Sequence, residues 1–143
     1  MTEPRQMLIL ILDDAVMNTV LMAQAVQGLG AGEPRTFTCP REALAFVQAH
    51  GGELGVIMTD FDMPGMNGID FIQAARKVPG LAHVPIVMIT SMDQRTLRRE
   101  ALAAGATDFL AKPFDHVEVR ARVGNLLALS QARRAEAYRA ARL

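Results

Sequence analysis

The chain is short of cysteine, of net charge and of long apolar runs, and each shortage removes a class of function. Cys39 is the one cysteine among 143 residues, so no internal disulfide can close and a reducing compartment is expected. Fifteen Lys and Arg balance fifteen Asp and Glu. That zero net charge offers no electrostatic case for binding nucleic acid or an anionic membrane surface. No apolar run approaches the ~20 residues that span a bilayer, and the opening "MTEPRQ" lacks the charged-then-apolar pattern of a signal peptide. A soluble cytoplasmic domain is the expectation. Internal repeats and low-complexity segments are also missing. Apolar residues are plentiful, at 50%, enough for one domain with its own core.

Along the chain, strand-like and helix-like stretches alternate. "MLILIL" (7–12) is a fully apolar run that reads as a buried strand. A helical pattern follows over 18–29, then the break "GLGAGEP" and a weak strand "RTFT" (35–38). Pro40 stands where a first helical residue would, opening a helix to His50. Strands over 54–59, 85–90 and 108–111 alternate with helices over 69–78 and 94–105, the last closed by Gly105. A long helix starts near Asp115. Five βα units with short connections predict an α/β fold, a doubly wound five-stranded parallel sheet with helices on both faces. Right-handed crossovers leave few topologies, and among them we choose the flavodoxin-like order 2-1-3-4-5.

Residues 126–143, "LLALSQARRAEAYRAARL", thin out in apolar side chains. The best heptad seam, Val123, Leu126, Ser130 and Arg133, is poor for a coiled coil. The stretch reads as a solvated helical extension, with a linker or dimerising helix as the alternative, and the tail arginines Arg133, Arg134, Arg139 and Arg142 as a solvated face. We therefore divide the chain into a domain over 1–125 and an extension over 126–143. A helix still in progress at the last residue leads us to expect an output domain beyond it.

In a doubly wound sheet, ligands sit beyond the carboxyl ends of the strands. Those ends carry Asp13 and Asp14, then Asp60, then Thr90 and Ser91, then Lys112. Strands 1 and 3 are neighbours in the chosen order, so three carboxylates should share one cleft. They must take up protons or hold a cation, and hard oxygens in an open cleft suit Mg²⁺ with a phosphate as co-ligand. Metal, ammonium and hydroxyl are what transferring phosphoryl oxygens require, and a carboxylate among them can serve as nucleophile. His50, His83 and His116 have no ligand spacing and are assigned no role. The methionines, Met58, Met63, Met66 and Met88 among them, read as packing.

Four motifs in order, "LILDD" (10–14), "MTDFDMPGMNG" (58–68), "VMITS" (87–91) and "DFLAKPF" (108–114), resemble the receiver domain of bacterial two-component response regulators over nearly all of residues 6 to 125. The resemblance supports the strand order and implies a phosphoacceptor role for Asp60. It implies a Mg²⁺ site at Asp14, assisted by Asp13, with Asp60 and the backbone carbonyl of Asp62. It makes Thr90 the switch hydroxyl, Lys112 the phosphate-pairing lysine and Phe109 the aromatic switch, and it implies a cis Lys112–Pro113 bond. The phosphoryl donor would be a sensor histidine kinase or phosphotransfer protein. The signal would leave through the face formed by helix 4, strand 5 and helix 5, toward a homodimer or an output domain. An independent turnover enzyme is not expected. Asp108 and Arg122 match charged positions that pair between subunits in some receivers, but Ala103 stands where that pattern has an acid.

Two rivals remain at this point. "DFD", "ITS" and a lysine in that order also suit a haloacid-dehalogenase-like phosphatase, with Asp62 as general acid. That family, however, needs an acid pair after the lysine, where only Asp115, Glu118 and Glu136 follow. A degenerate receiver used only for protein binding is the other.

Overall fold

A computed structural model describes residues 7–29, 32–92 and 95–142. Five strands, β1 (Leu8–Leu12), β2 (Glu33–Phe37), β3 (Leu54–Thr59), β4 (Ile86–Thr90) and β5 (Asp108–Ala111), alternate with five helices. The helices are α1 (Val16–Val26), α2 (Pro40–His50), α3 (Gly68–Arg76), α4 (Arg95–Ala104) and α5 (His116–Arg142). The strands form one parallel sheet in the order β2-β1-β3-β4-β5, the flavodoxin-like order expected from the sequence.

The apolar strand runs hide a period of two. Leu8, Leu10, Leu12, Ile57, Ile86, Met88 and Phe109 share a core with Ala43 and Val47 of α2, Phe71 and Ile72 of α3, and Leu97 of α4. Their neighbours Ile9, Ile11, Val56, Met58, Val87, Ile89 and Leu110 face Met22 and Val26 of α1 and Val119, Val123 and Leu127 of α5. β1, β3, β4 and β5 therefore each serve two cores, which is why no polar residue interrupts β1 or β4 before its end. β2 is the exposed edge, where the missing N–H of Pro34 is tolerated.

Helix boundaries differ from the sequence expectation for local reasons. α1 starts at Val16 rather than Asn18, because the Asp13 side chain accepts the N–H of Ala15 at 2.9 Å. It ends before Leu29, since Gly28 takes φ +77°. α3 starts at Gly68, capped by the Asn67 side chain, which accepts the Asp70 N–H at 2.8 Å. Gln94, the expected start of α4, lies outside the described residues, as do the "MTEPRQ" opening and Leu143.

The stretch over 126–142 is helical, and its first turns pack on the domain. Leu127 is 2% exposed and fills a notch left by two glycines. A Cβ on Gly55 would lie 2.7 Å from Leu127 Cδ1, and one on Gly32 would lie 2.8 Å from Leu127 Cδ2. Ser130 is buried and donates its hydroxyl to the Gly55 carbonyl at 2.6 Å. Arg133 donates to the His83 carbonyl at 3.1 Å and Arg134 to that of Gly52. The buried positions are thus Val123, Leu127 and Ser130, with Leu126 only half-buried. With Val119 also buried, the steps of four, four and three residues follow a straight 3.6-residue helix rather than the chosen heptad seam. Arg139 remains exposed. Among the described residues, no helix is long and apolar enough to cross a membrane.

Candidate functional site

The site is built where β1 and β3 run side by side, with Leu12 opposite Thr59. One residue further, both chains leave the sheet as acids. Carboxylate oxygens of Asp13, Asp14 and Asp60 all lie within 4.8 Å of one another. Like charges at that distance repel by roughly 3.5 kcal/mol per pair at an effective dielectric of about 20, less where solvent screens them.

Asp13 and Asp60 are held by the protein. Asp13, fully buried, accepts the Lys112 ammonium at 2.5 Å on Oδ2. Its Oδ1 takes the Ala15 N–H and the Asn18 amide at 2.9 and 3.3 Å. Asp60 receives the Phe61 N–H at 2.7 Å on Oδ1 and Lys112 Nζ at 3.1 Å on Oδ2. Thr59 steadies the backbone behind it by donating its hydroxyl to the Asp60 carbonyl at 2.9 Å. Lys112 comes from the end of β5, where its N–H bonds the Thr90 carbonyl at 2.8 Å and the Lys112–Pro113 peptide is cis. Burial pulls the lysine's pKa down, but hydrogen bonds and charge from Asp13 and Asp60 outweigh it and raise the pKa above its ordinary value. The ammonium stays charged.

Asp14 is the exposed member. Its carboxyl is raised above its ordinary value, first by desolvation and then by the charges of Asp13 and Asp60, with a smaller push from Asp62. Among the described residues no cation pairs with it. Three carboxylates against one ammonium leave two negative charges uncompensated. An all-oxygen, partly solvated cluster with that excess fits a hard divalent cation.

Thr90 is buried at the end of β4, and its hydroxyl accepts the Met92 N–H at 3.3 Å. That is a local turn rather than a cap for α4, which starts at Arg95. Phe109 lies one strand over, 3% exposed beneath α4. Asp108 and Arg122 pair with each other within the chain at 2.9 Å. The structure therefore gathers Asp13, Asp14 and Asp60 into one cluster, with Lys112 bonded to Asp13 and Asp60, Asp62 at their rim, and Thr90 and Phe109 on the neighbouring strands β4 and β5.

Two contributors were not assigned from the sequence. Asn18 was read only as a helix start, yet one turn into α1 it reaches back to Asp13. Gly68 closes "DMPGMNG": a Cβ there would stand 2.3 Å from the Asp60 carbonyl oxygen, and its N–H bonds the Phe61 carbonyl at 2.8 Å. The glycine lets α3 begin directly under the Asp60 backbone.

Comparison with known proteins agrees with this geometry. The family model of the response regulator receiver domain matches residues 9–124. The cyclic di-GMP phosphodiesterase response regulator RpfG of Xanthomonas campestris pv. campestris is 35% identical over 125 residues, covering 86% of this chain but only 32% of that protein. The chemotaxis protein CheY of Pseudomonas aeruginosa is 35% identical over 112 residues, 76% of this chain and 86% of that one. The solved structure of Vibrio cholerae CheY4 aligns with a TM-score of 0.75 at 30% identity, covering 85% of this chain and 98% of that one. The phosphatase alternative gains nothing from these likenesses, and the acid pair follows β1, ahead of Asp60. The chain belongs to the response regulator receiver domain family of two-component signalling.

Proposed function

We propose that Asp60 accepts a phosphoryl group from a histidine kinase or phosphotransfer protein, and that the resulting charge resets the face formed by α4, β5 and α5. The observation that carries this reading is the placement of Asp60 Oδ2 3.1 Å from Lys112 Nζ, inside a cluster of three carboxylates. An Asp60 carboxylate oxygen attacks phosphorus, a P–O bond forms, and the P–N bond to the donor histidine breaks, its electron pair staying on the ring nitrogen. Lys112 stands ready to pair with a phosphoryl oxygen in place of Asp60 Oδ2.

Asp14, Asp13, Asp60 and the backbone carbonyl of Asp62 would hold Mg²⁺, which supplies the positive charge that the cluster lacks. Phosphorylation adds about −1.5 to −2 charges, by analogy with hydroxyl phosphorylation. The Thr90 hydroxyl and Lys112 follow that charge, and Phe109 responds to the space near Thr90. The face beyond them then favours one of two states for a homodimer or output-domain contact. The chain promotes its own phosphorylation and dephosphorylation and needs no separate turnover reaction.

The donor's approach is also marked. Val16 and Met17 are each 65% exposed on α1. They adjoin a cleft of about 500 Å³ lined by Asn18, Leu21, Lys112, Pro113, Phe114 and His116. An apolar rim beside Lys112 suits a protein donor that buries its own apolar side chains there.

The test is intact mass after incubation with Mg²⁺ and acetyl phosphate, beside Asp60→Asn and a Mg²⁺-free sample. The expected result is a single Mg²⁺-dependent phosphoryl adduct, absent from the variant. Steady phosphate-ester hydrolysis without an adduct would return the phosphatase, and neither activity would leave a protein-binding cleft.

A further inference from the structure

Phe109 is where β5 meets α4. Its ring is buried with Leu97 and Ala101 of α4. It pairs in register with Met88, while Ala111, two residues on, pairs with Thr90. Above the ring stands a charge: the Arg98 guanidinium lies 5.0 Å from the ring centroid, within cation–π range. Arg98 is otherwise exposed, and among the described residues it has no carboxylate partner. The electrostatic attraction to the ring face is therefore the specific hold on this guanidinium, and it exists only while the ring is under α4. Arg95 and Arg99, on the same side of the helix, have no such contact described.

We propose that Arg98 is a positioning residue for Phe109: its guanidinium closes over the ring and favours the ring-buried state over the ring-exposed one. The proposal rests on the reading above, in which Phe109 moves with phosphorylation of Asp60. It adds a residue on α4 that reads the ring's position directly, so the charge of the α4 surface and the state of β5 become linked. By reciprocity, a group that draws Arg98 away from the ring favours ring exposure to the same extent.

The experiment uses the full chain labelled with 4-fluorophenylalanine, with the Phe109 resonance assigned by its loss in Phe109→Leu. Solvent exposure of the ring is read from the H₂O/D₂O shift of that resonance, with and without Mg²⁺ and beryllofluoride as a phosphoryl mimic. Arg98→Gln keeps much of the stem and removes the charge, Arg98→Lys restores a cation, and Arg99→Gln removes a neighbouring charge that touches no ring. An exposed cation–π contact predicts a shift of about two- to fivefold in the buried-to-exposed ratio for Arg98→Gln. Arg98→Lys should recover part of it, and Arg99→Gln should match wild type. An unchanged Phe109 signal in Arg98→Gln overturns the proposal, as does an equal change in Arg99→Gln. If the ring ignores beryllofluoride while acetyl phosphate still labels Asp60, the switch role of Phe109 falls and the proposal with it. If Asp60 is not labelled at all, the phosphoacceptor reading itself has failed.

Discussion

The two ends of this sheet are built on opposite terms. At the carboxyl end, Asp13, Asp14 and Asp60 crowd within 4.8 Å, and one lysine answers for three charges. At the amino end, Leu127 sits in a notch between Gly32 and Gly55, and Ser130 bonds the Gly55 carbonyl. The first end is held in tension that a ligand can relieve; the second is packed and hydrogen-bonded around Leu127 and Ser130. Stability and function are thus separated along the strands, and substitutions at the two ends should differ in sign as well as in size.

The largest expected effect lies at the packed end. Leu127→Ala empties the glycine notch and should cost about 2–5 kcal/mol of unfolding free energy in urea titration. Its yield of acetyl phosphate adduct under native conditions should match wild type. A loss of labelling in a folded Leu127→Ala protein would mean that the two ends are coupled. Ser130→Ala follows, because it leaves the Gly55 carbonyl buried without its partner, at a cost of about 1–3 kcal/mol.

Much of the carboxyl end was legible in the sequence, and the amino end was not. An apolar run that stops at "DD" or at "TDFD" announces itself, since a charge after a buried strand is costly unless something uses it. Proximity of those ends then follows from strand order alone. The notch depends on contacts between residues far apart in sequence. Gly32 falls in a stretch read as a break, Gly55 in one read as an ordinary strand, and neither shows that a leucine from α5 will fill the space. The heptad reading chose Leu126, whereas the straight helix turns Leu127 inward. Arg133 is exposed, as its solvated reading expects, and Arg134 half-buried; both guanidiniums also reach carbonyls, of His83 and Gly52. Arginine stems are long enough to dock from positions that sequence pattern marks as surface.

At the charged end, Asp14→Asn should move stability the other way. Ordinarily this carboxyl titrates at 3.8, and in the folded protein its value is raised by desolvation and by Asp13 and Asp60. The folded state therefore binds the proton more tightly than the unfolded chain. Ionised Asp14 costs stability at neutral pH, stability is regained as pH falls through the raised value, and the gain is complete below the unfolded one. Without metal, Asp14→Asn should be more stable than wild type at neutral pH by up to about 1 kcal/mol. The difference should shrink on acidification through that window. With Mg²⁺ the order should reverse, because only wild type gains from the cation. A variant no more stable than wild type without metal would show that the cluster is not under tension.

Asp62 should give the smallest effect and the sharpest comparison. It is an exposed acid two residues after Asp60, and its charge is the last-ranked influence on Asp14. Its carboxylate therefore acts on the cluster through partly screened solvent, where a single charge is worth about 0.5 kcal/mol, roughly twofold in an equilibrium. Removing it should ease the crowding that Mg²⁺ relieves, so metal affinity should fall by about that factor in Asp62→Asn. The lifetime of the phosphorylated protein should change with it, since Asp62 lies two residues from Asp60, the proposed phosphoacceptor. Following loss of the intact-mass adduct after removal of acetyl phosphate measures this directly. Equal decay in wild type and Asp62→Asn, at saturating Mg²⁺ and at limiting Mg²⁺, would confine the tension to Asp13, Asp14 and Asp60. A difference only at limiting Mg²⁺ would place Asp62 in metal affinity alone, and a difference at both would give it a hand in hydrolysis itself.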